Sequence, residues 1–247
     1  ASEQTVIFWF IFFAFAVKLP IFPFHSWQPD TYTYSPTQGS MLLSGIMLKM
    51  AVYGLLRYLL PITPDPILGI SGQIVLVLAI IGIVHGALIA IIQNDSKRLI
   101  AYSSLSHVGL MVAGIMASAI LTVNGTLMIE GGEGALVQAF AHGINVVGLF
   151  YCADILYKRF KTRDIRQMGG LAKAAPKFAV LFMIIILGSV GLPLTNGFIG
   201  EFILIKSIFD YSKLAAIFAG LTLIFSAVYL LRFYGKAMFG EGDDRVL

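Results

Sequence analysis

This sequence predicts an all-α, polytopic transmembrane helix bundle of about seven helices, two of them broken mid-membrane. Composition is the first reason: 58% of the 247 residues are hydrophobic, 12% are charged, and mean hydropathy is +0.87. A soluble domain of this size has to present more polar surface to water. Second, the apolar runs repeat at about 20 residues, the length that crosses a bilayer as a helix. Third, prolines and glycines fall inside two of those runs.

The first segment covers residues 5–24 and is interrupted by Pro20 and Pro23. The second, 38–60, stops at Pro61, Pro64 and Pro66, because proline lacks the N–H and clashes with the preceding turn. The third spans 71–92 and the fourth 97–121. Glu130 and Glu133 precede the fifth, 134–157. The sixth, 177–208, exceeds one straight crossing and carries Gly188, Gly191, Pro193, Asn196 and Gly197. The seventh runs over 214–239, before a polar tail at 241–247.

Charge and cysteine usage exclude several classes. Cys152 is the one cysteine, so neither a disulfide framework nor CxxC redox or iron–sulfur chemistry is encoded. The net charge of +4 is concentrated between segments five and six, at Lys158, Arg159, Lys161, Arg163, Arg166, Lys173 and Lys177. Such loop clustering is membrane topogenesis, not a nucleic-acid footprint. By the positive-inside rule this face is cytoplasmic, the C-terminus lies inside and Ala1 outside. The sequon Asn124-Gly125-Thr126 then faces outward. With no initiator methionine and an abrupt start in an apolar helix, the chain reads as a piece of a longer protein. No metal-ligand spacing and no cofactor motif is present.

Both breaks share a local pattern, Val17-Lys18-Leu19-Pro20 and Val190-Gly191-Leu192-Pro193. Backbone groups freed at membrane depth persist only where protein or a watery cavity satisfies them, and paired interruptions point to an ion path. Lys18 precedes the first break, Lys49 sits inside the second segment, and Glu201 follows the second break. A charge at such depth costs several kcal/mol unless it is paired or hydrated. These three are therefore relay candidates, with a structural ion pair or a snorkelling end as the alternative. Snorkelling accounts for Lys206.

His107 follows Ser103 by four, and His142 shares a face with Gln138 and Asn145. Such stripes suit a hydrogen-bonded wire or simple interhelical hydrogen bonding. His85 sits between Gly82 and Gly86, a GxxxG of helix packing, and His25 falls in the first broken stretch. A pair of histidines could also ligate a haem. His107 stands about ten residues from the basic end of its helix and His142 about sixteen, a depth difference of roughly 9 Å. That offset disfavours one haem and suits a stepwise proton path.

These residues resemble a known family. The run Phe15-Ala16-Val17-Lys18-Leu19-Pro20-Ile21-Phe22-Pro23-Phe24-His25-Ser26-Trp27 is similar to the broken seventh helix of the antiporter-like subunits of complex I. Pro36-Thr37, Gly39-Ser40 and Leu48-Lys49-Met50 resemble the following loop and helix. Gln93 to Ser104 with His107 resembles the signature at the ninth-to-tenth helix junction. The family also includes Mrp-type cation/proton antiporters and membrane hydrogenase subunits. Glu201, where most relatives have lysine, resembles the M-type (chain 4) branch. One departure is the family's Asp-Ala-His-Thr-Glu-Ala-Pro-Thr, here Asp30 to Thr37 without that histidine and glutamate.

The resemblance implies a proton-translocating subunit of NADH:quinone oxidoreductase in the cell inner (cytoplasmic) membrane. Distant redox chemistry in partner subunits would drive it, with the other complex I membrane subunits as its neighbours and no cofactor in this chain. It implies Lys18 as pumping lysine, Lys49, His107 and His142 as relays, and Glu201 as terminal site. Residues 1–66 would end a first antiporter-like repeat, and 67–240 would form a second five-helix repeat. A family glutamate that pairs with the lysine matching Lys18 lies outside this sequence, so the chain alone is not expected to pump. A cation antiporter subunit and a non-transporting structural fragment are the alternatives.

Overall fold

The computed structural model describes residues 2–123, 126–127 and 129–240. The sequon's Asn124 and Gly125 and the tail at 241–247 lie outside the described residues. The architecture is the expected helical membrane bundle. The first segment is α1 (Ser2–Lys18), which ends at the break, followed by α2 (Trp27–Tyr34). A long α3 (Thr37–Ile62) and a short α4 (Pro64–Leu68) follow. Then come α5 (Ile70–Ile92), α6 (Ser96–Ile120) and α7 (Glu130–Phe160). A two-residue hairpin of β1 (Thr122–Val123) and β2 (Thr126–Leu127) joins α6 to α7. After α8 (Leu171–Ala174), the sixth segment is split into α9 (Pro176–Val190) and α10 (Asn196–Tyr211). The last is α11 (Lys213–Met238).

The helix nearest the centre is α6. In its most apolar 18-residue window 94% of the residues are buried, and α5, α7 and α10 pack round it. Small residues let the backbones approach: Gly86 of α5 faces the Tyr102 carbonyl and Ser106 of α6, and Gly109 of α6 faces Ala79 and Ile83. Asp95 caps α6, accepting a hydrogen bond from the Arg98 backbone N–H at 2.9 Å.

The loop after α7 folds back onto this cap. The Ser96 N–H donates to the Arg163 carbonyl at 3.0 Å, and the Ile165 N–H to the Asn94 carbonyl at 2.9 Å. Arg166 grips Asp164 bidentately at 2.7 and 3.0 Å, which holds that carboxyl below the usual carboxylate range. Arg232 of α11 completes the junction by donating to the Ile91 carbonyl and, at 2.7 Å, to Asn94 Oδ1. The open carbonyls at the end of α5 are thus capped by a cation from another helix.

Two features were not legible in the sequence. Helix α3 contains π turns at Leu43–Met47 and Leu55–Leu59, on either side of Lys49. Helix α7 extends beyond the expected 134–157 at both ends.

Candidate functional site

Lys49 sits between the two π turns of α3, and its ammonium donates to the Ser44 carbonyl five residues back. An α-helix commits that carbonyl to the backbone ladder; a π turn re-registers the ladder, and such bulges mark functional positions. The same Nζ lies 2.9 Å from His142 Nδ1 on α7. A proton on either group completes that bond, so the pair can pass one between them.

His142 in turn faces His107 of α6, with ring centroids 5.6 Å apart and planes at 48°. His107 Nδ1 is 3.0 Å from Glu201 Oε1, an ion-pair distance without hydrogen-bond geometry. Gln138 Nε2 donates to the same carboxylate oxygen at 2.9 Å. The side chains of His107 and Glu201 are 3% and 2% exposed, so neither can reach solvent to satisfy itself.

The second break positions Glu201. Helix α9 ends at Gly191 with φ 75°, a left-handed cap that glycine adopts freely. A Cβ at Gly191 would overlap the Glu201 carboxylate, so the break makes the space that the acid fills. Asn196, which opens α10, exchanges two side-chain hydrogen bonds with Asn145 of α7 at 3.1 and 3.2 Å. The stripe Gln138–His142–Asn145 thus binds the carboxylate, the lysine and the restart of the broken helix.

Beside the row lies a cavity of about 10 Å³ bordered by Ser103, Ser104, His107, Gln138 and His142, the least that one water occupies. His107 Nε2, Ser104 Oγ and Glu201 Oε2 are buried without a partner. Buried polar atoms of this kind are normally satisfied by water, which suits a hydrated connection between the rings.

The histidine placement corrects the depth reckoning. His107 and His142 were counted as about 9 Å apart in depth, but their rings are neighbours. Lys97 of α6 and Asp154 of α7 border one cavity at the basic side. From that level His107 lies ten residues along α6 and His142 twelve along α7, equal depths to within about 3 Å. The helix end expected from the sequence lies about four residues past Asp154, which accounts for about 6 Å of the roughly 9 Å offset and leaves the difference of about 3 Å. Depth therefore does not separate a histidine pair from a haem-ligand pair; the candidate site is the row itself, with Lys49 on His142 and Glu201 beside His107.

Lys18 does not join the row. It is exposed at the end of α1 and borders, with Lys49, an open cavity of about 950 Å³ between α1, α3 and α7. Trp27 Nε1 donates to the Val17 carbonyl freed by the break, at 2.9 Å. Two pairings escaped sequence reasoning. His25 and His85 meet at 3.2 Å between their Nε2 atoms, although Gly86 does mediate packing. Lys206 pairs with Glu130 at 2.5 Å and Asp210 at 3.2 Å, so an ion triad replaces the snorkelling account. His25–His85 and Lys206–Glu130 are 60 and 76 residues apart, beyond the reach of helical spacing.

Residues 1–226 match the family described as NADH:quinone oxidoreductase/Mrp antiporter, TM. The chain is 42% identical over 241 residues to NADH-quinone oxidoreductase subunit M of Rickettsia conorii, covering 96% of this chain and 46% of that protein. It is 39% identical to NADH-ubiquinone oxidoreductase chain 4 of Chondrus crispus, over 97% of this chain and 47% of that one. A chain of respiratory complex I from Thermus thermophilus superposes with TM-score 0.89 at 32% identity, covering 98% of this chain and 50% of its own. A chain of the Mrp complex from Dietzia gives TM-score 0.84 at 23% identity, covering 96% and 43%, which shows the shared fold. The chain thus spans about half the length of the relatives it matches. It belongs to the NADH:quinone oxidoreductase/Mrp antiporter transmembrane family.

Proposed function

We propose that this chain carries the proton relay of a complex I membrane subunit of the M type. Protons pass along Lys49, His142, His107 and Glu201, driven by redox chemistry in partner subunits. The observation that carries this reading is a row of four titratable side chains on four helices. Its outer links are 2.9 and 3.0 Å, and its inner rings are 5.6 Å apart. Buried ionisable groups in a membrane bundle are expensive unless they serve a path. Lys18 exchanges protons with the row through the cavity that it shares with Lys49. Residues 1–66 belong to one repeat and 67–240 to the next, each with its own break. The Lys/Arg-rich face is cytoplasmic, the membrane is the cell inner membrane, and the complex's membrane subunits are the partners.

His142→Gln tests this reading in the assembled complex. Glutamine keeps a polar side chain against Lys49 but cannot take up a proton. Proton translocation in sealed membranes, measured alongside NADH-driven quinone reduction, is expected to fall several-fold. Wild-type translocation would contradict a relay and favour a structural role for the row.

A further inference from the structure

At the basic side, α2, α3, α6 and α7 enclose a polar cavity of about 350 Å³. Lys97 lies within it, 4% exposed, donating to the Ser35 carbonyl at 2.7 Å and reaching Ser40 Oγ at 3.4 Å. Arg163 lies beside it, one guanidinium N–H on the Thr33 carbonyl at 2.8 Å and the group over the Tyr157 ring at 5.3 Å. Among the described residues neither cation has a carboxylate within ion-pair distance. The acid of the pocket, Asp154, is engaged by Thr37 at 2.7 Å and by Lys158 at 2.8 Å. Ser96 Oγ, at the cavity wall, is buried and unpartnered.

Two neighbouring cations keep unused donors in a partly desolvated pocket whose one lining carboxylate, Asp154, is already taken by Thr37 and Lys158, so a further anion between them is favoured. The guanidinium fork and the ammonium match a tetrahedral oxyanion, and the Ser96 hydroxyl supplies a further donor. Basic pockets between helix ends at the membrane boundary are suited to lipid head groups. Tyr34, 80% exposed at the rim, fits the aromatic belt of that boundary. We propose that this pocket binds a phosphate oxyanion through Lys97, Arg163 and Ser96, presented by an anionic phospholipid or taken up as free phosphate. The site is separate from the proton row and does not depend on it.

The test uses the detergent-solubilised intact complex, labelled with photoactivatable phosphatidylglycerol or with diacylglycerol of the same chains, which lacks the phosphate. Labelling by phosphatidylglycerol of peptides lining this pocket is expected to exceed that by diacylglycerol by about tenfold, and to fall by a similar factor in Arg163→Gln. Lys97→Met is the second variant, since its clamp on Ser35 also orders the turn. Preferential labelling that millimolar inorganic phosphate leaves intact assigns the site to the lipid head group. Saturable retention of radiolabelled inorganic phosphate that Arg163→Gln abolishes, with no lipid preference, assigns it to the free ion. Labelling indifferent to the phosphate together with no phosphate retention, or binding that survives both substitutions, overturns the proposal.

Discussion

Lys49→Met is expected to lower proton translocation at least tenfold, an increase in effective barrier of about 1.4 kcal/mol or more. Methionine nearly matches the length and volume of the lysine stem and deletes the one nitrogen that bridges Ser44 and His142. The end of the row at residue 49 then has no group that binds a proton. The substitution also leaves the His142 ring nitrogen unpartnered, a penalty of about 1–3 kcal/mol, so subunit assembly has to be verified in the same membranes. Lys49→Arg separates charge from proton exchange. Arginine stays protonated at any working pH, so it keeps the electrostatics and still fails to relay. Recovery of translocation in Lys49→Arg would show that the position needs only a positive charge.

Glu201→Gln should have an effect of the same order. The carboxamide fits the space left by Gly191 and keeps an oxygen for the Gln138 amide. It removes the group that binds a proton opposite His107 Nδ1 at 3.0 Å. Translocation is expected to fall at least tenfold with little change in thermal stability, since the swap is isosteric and keeps the packing against Gly191. Glu201→Asp shortens the side chain by one methylene, about 1.5 Å, and should restore part of the function through an intervening water. Wild-type pumping in Glu201→Gln would end the relay at the histidines.

Much of this site was legible before any coordinates. Lys49, His107, His142 and Glu201 stand out because a charged or imidazole side chain in an apolar run of helix length is costly, and composition alone exposes that cost. Gly191 and Pro193 mark the second break because no straight helix tolerates them together. What remained hidden depends on how helices slide past one another. The depth of His142 is hidden because α7 runs at least a turn past the level of Lys97, and nothing in an apolar run states where the neighbouring helix begins. The π turns around Lys49 leave no periodic trace, since the one extra residue that each turn takes up is indistinguishable from continued α-helix in a mostly apolar stretch. His25 with His85, and Lys97 beside Arg163, meet only through tertiary packing, and Arg232 caps α5 from the far end of the chain.

The two breaks play unequal parts. At the second, the chain interruption places Glu201 inside the row, against Gly191. At the first, Lys18 is left exposed beside the cavity that reaches Lys49. The row is therefore enclosed at its Glu201 end and open to the large cavity at its lysine end.

The central claim is that Lys49 and Glu201 belong to one row and act as one unit. Residues that act as a unit lose their function once, so their substitutions are strongly non-additive. The most direct test is a double-mutant cycle on proton translocation with Lys49→Met, Glu201→Gln and the pair together. A single row predicts that the double variant translocates protons no more slowly than the worse of the two single variants. Multiplied losses in the double variant would mean two independent paths and would contradict the account.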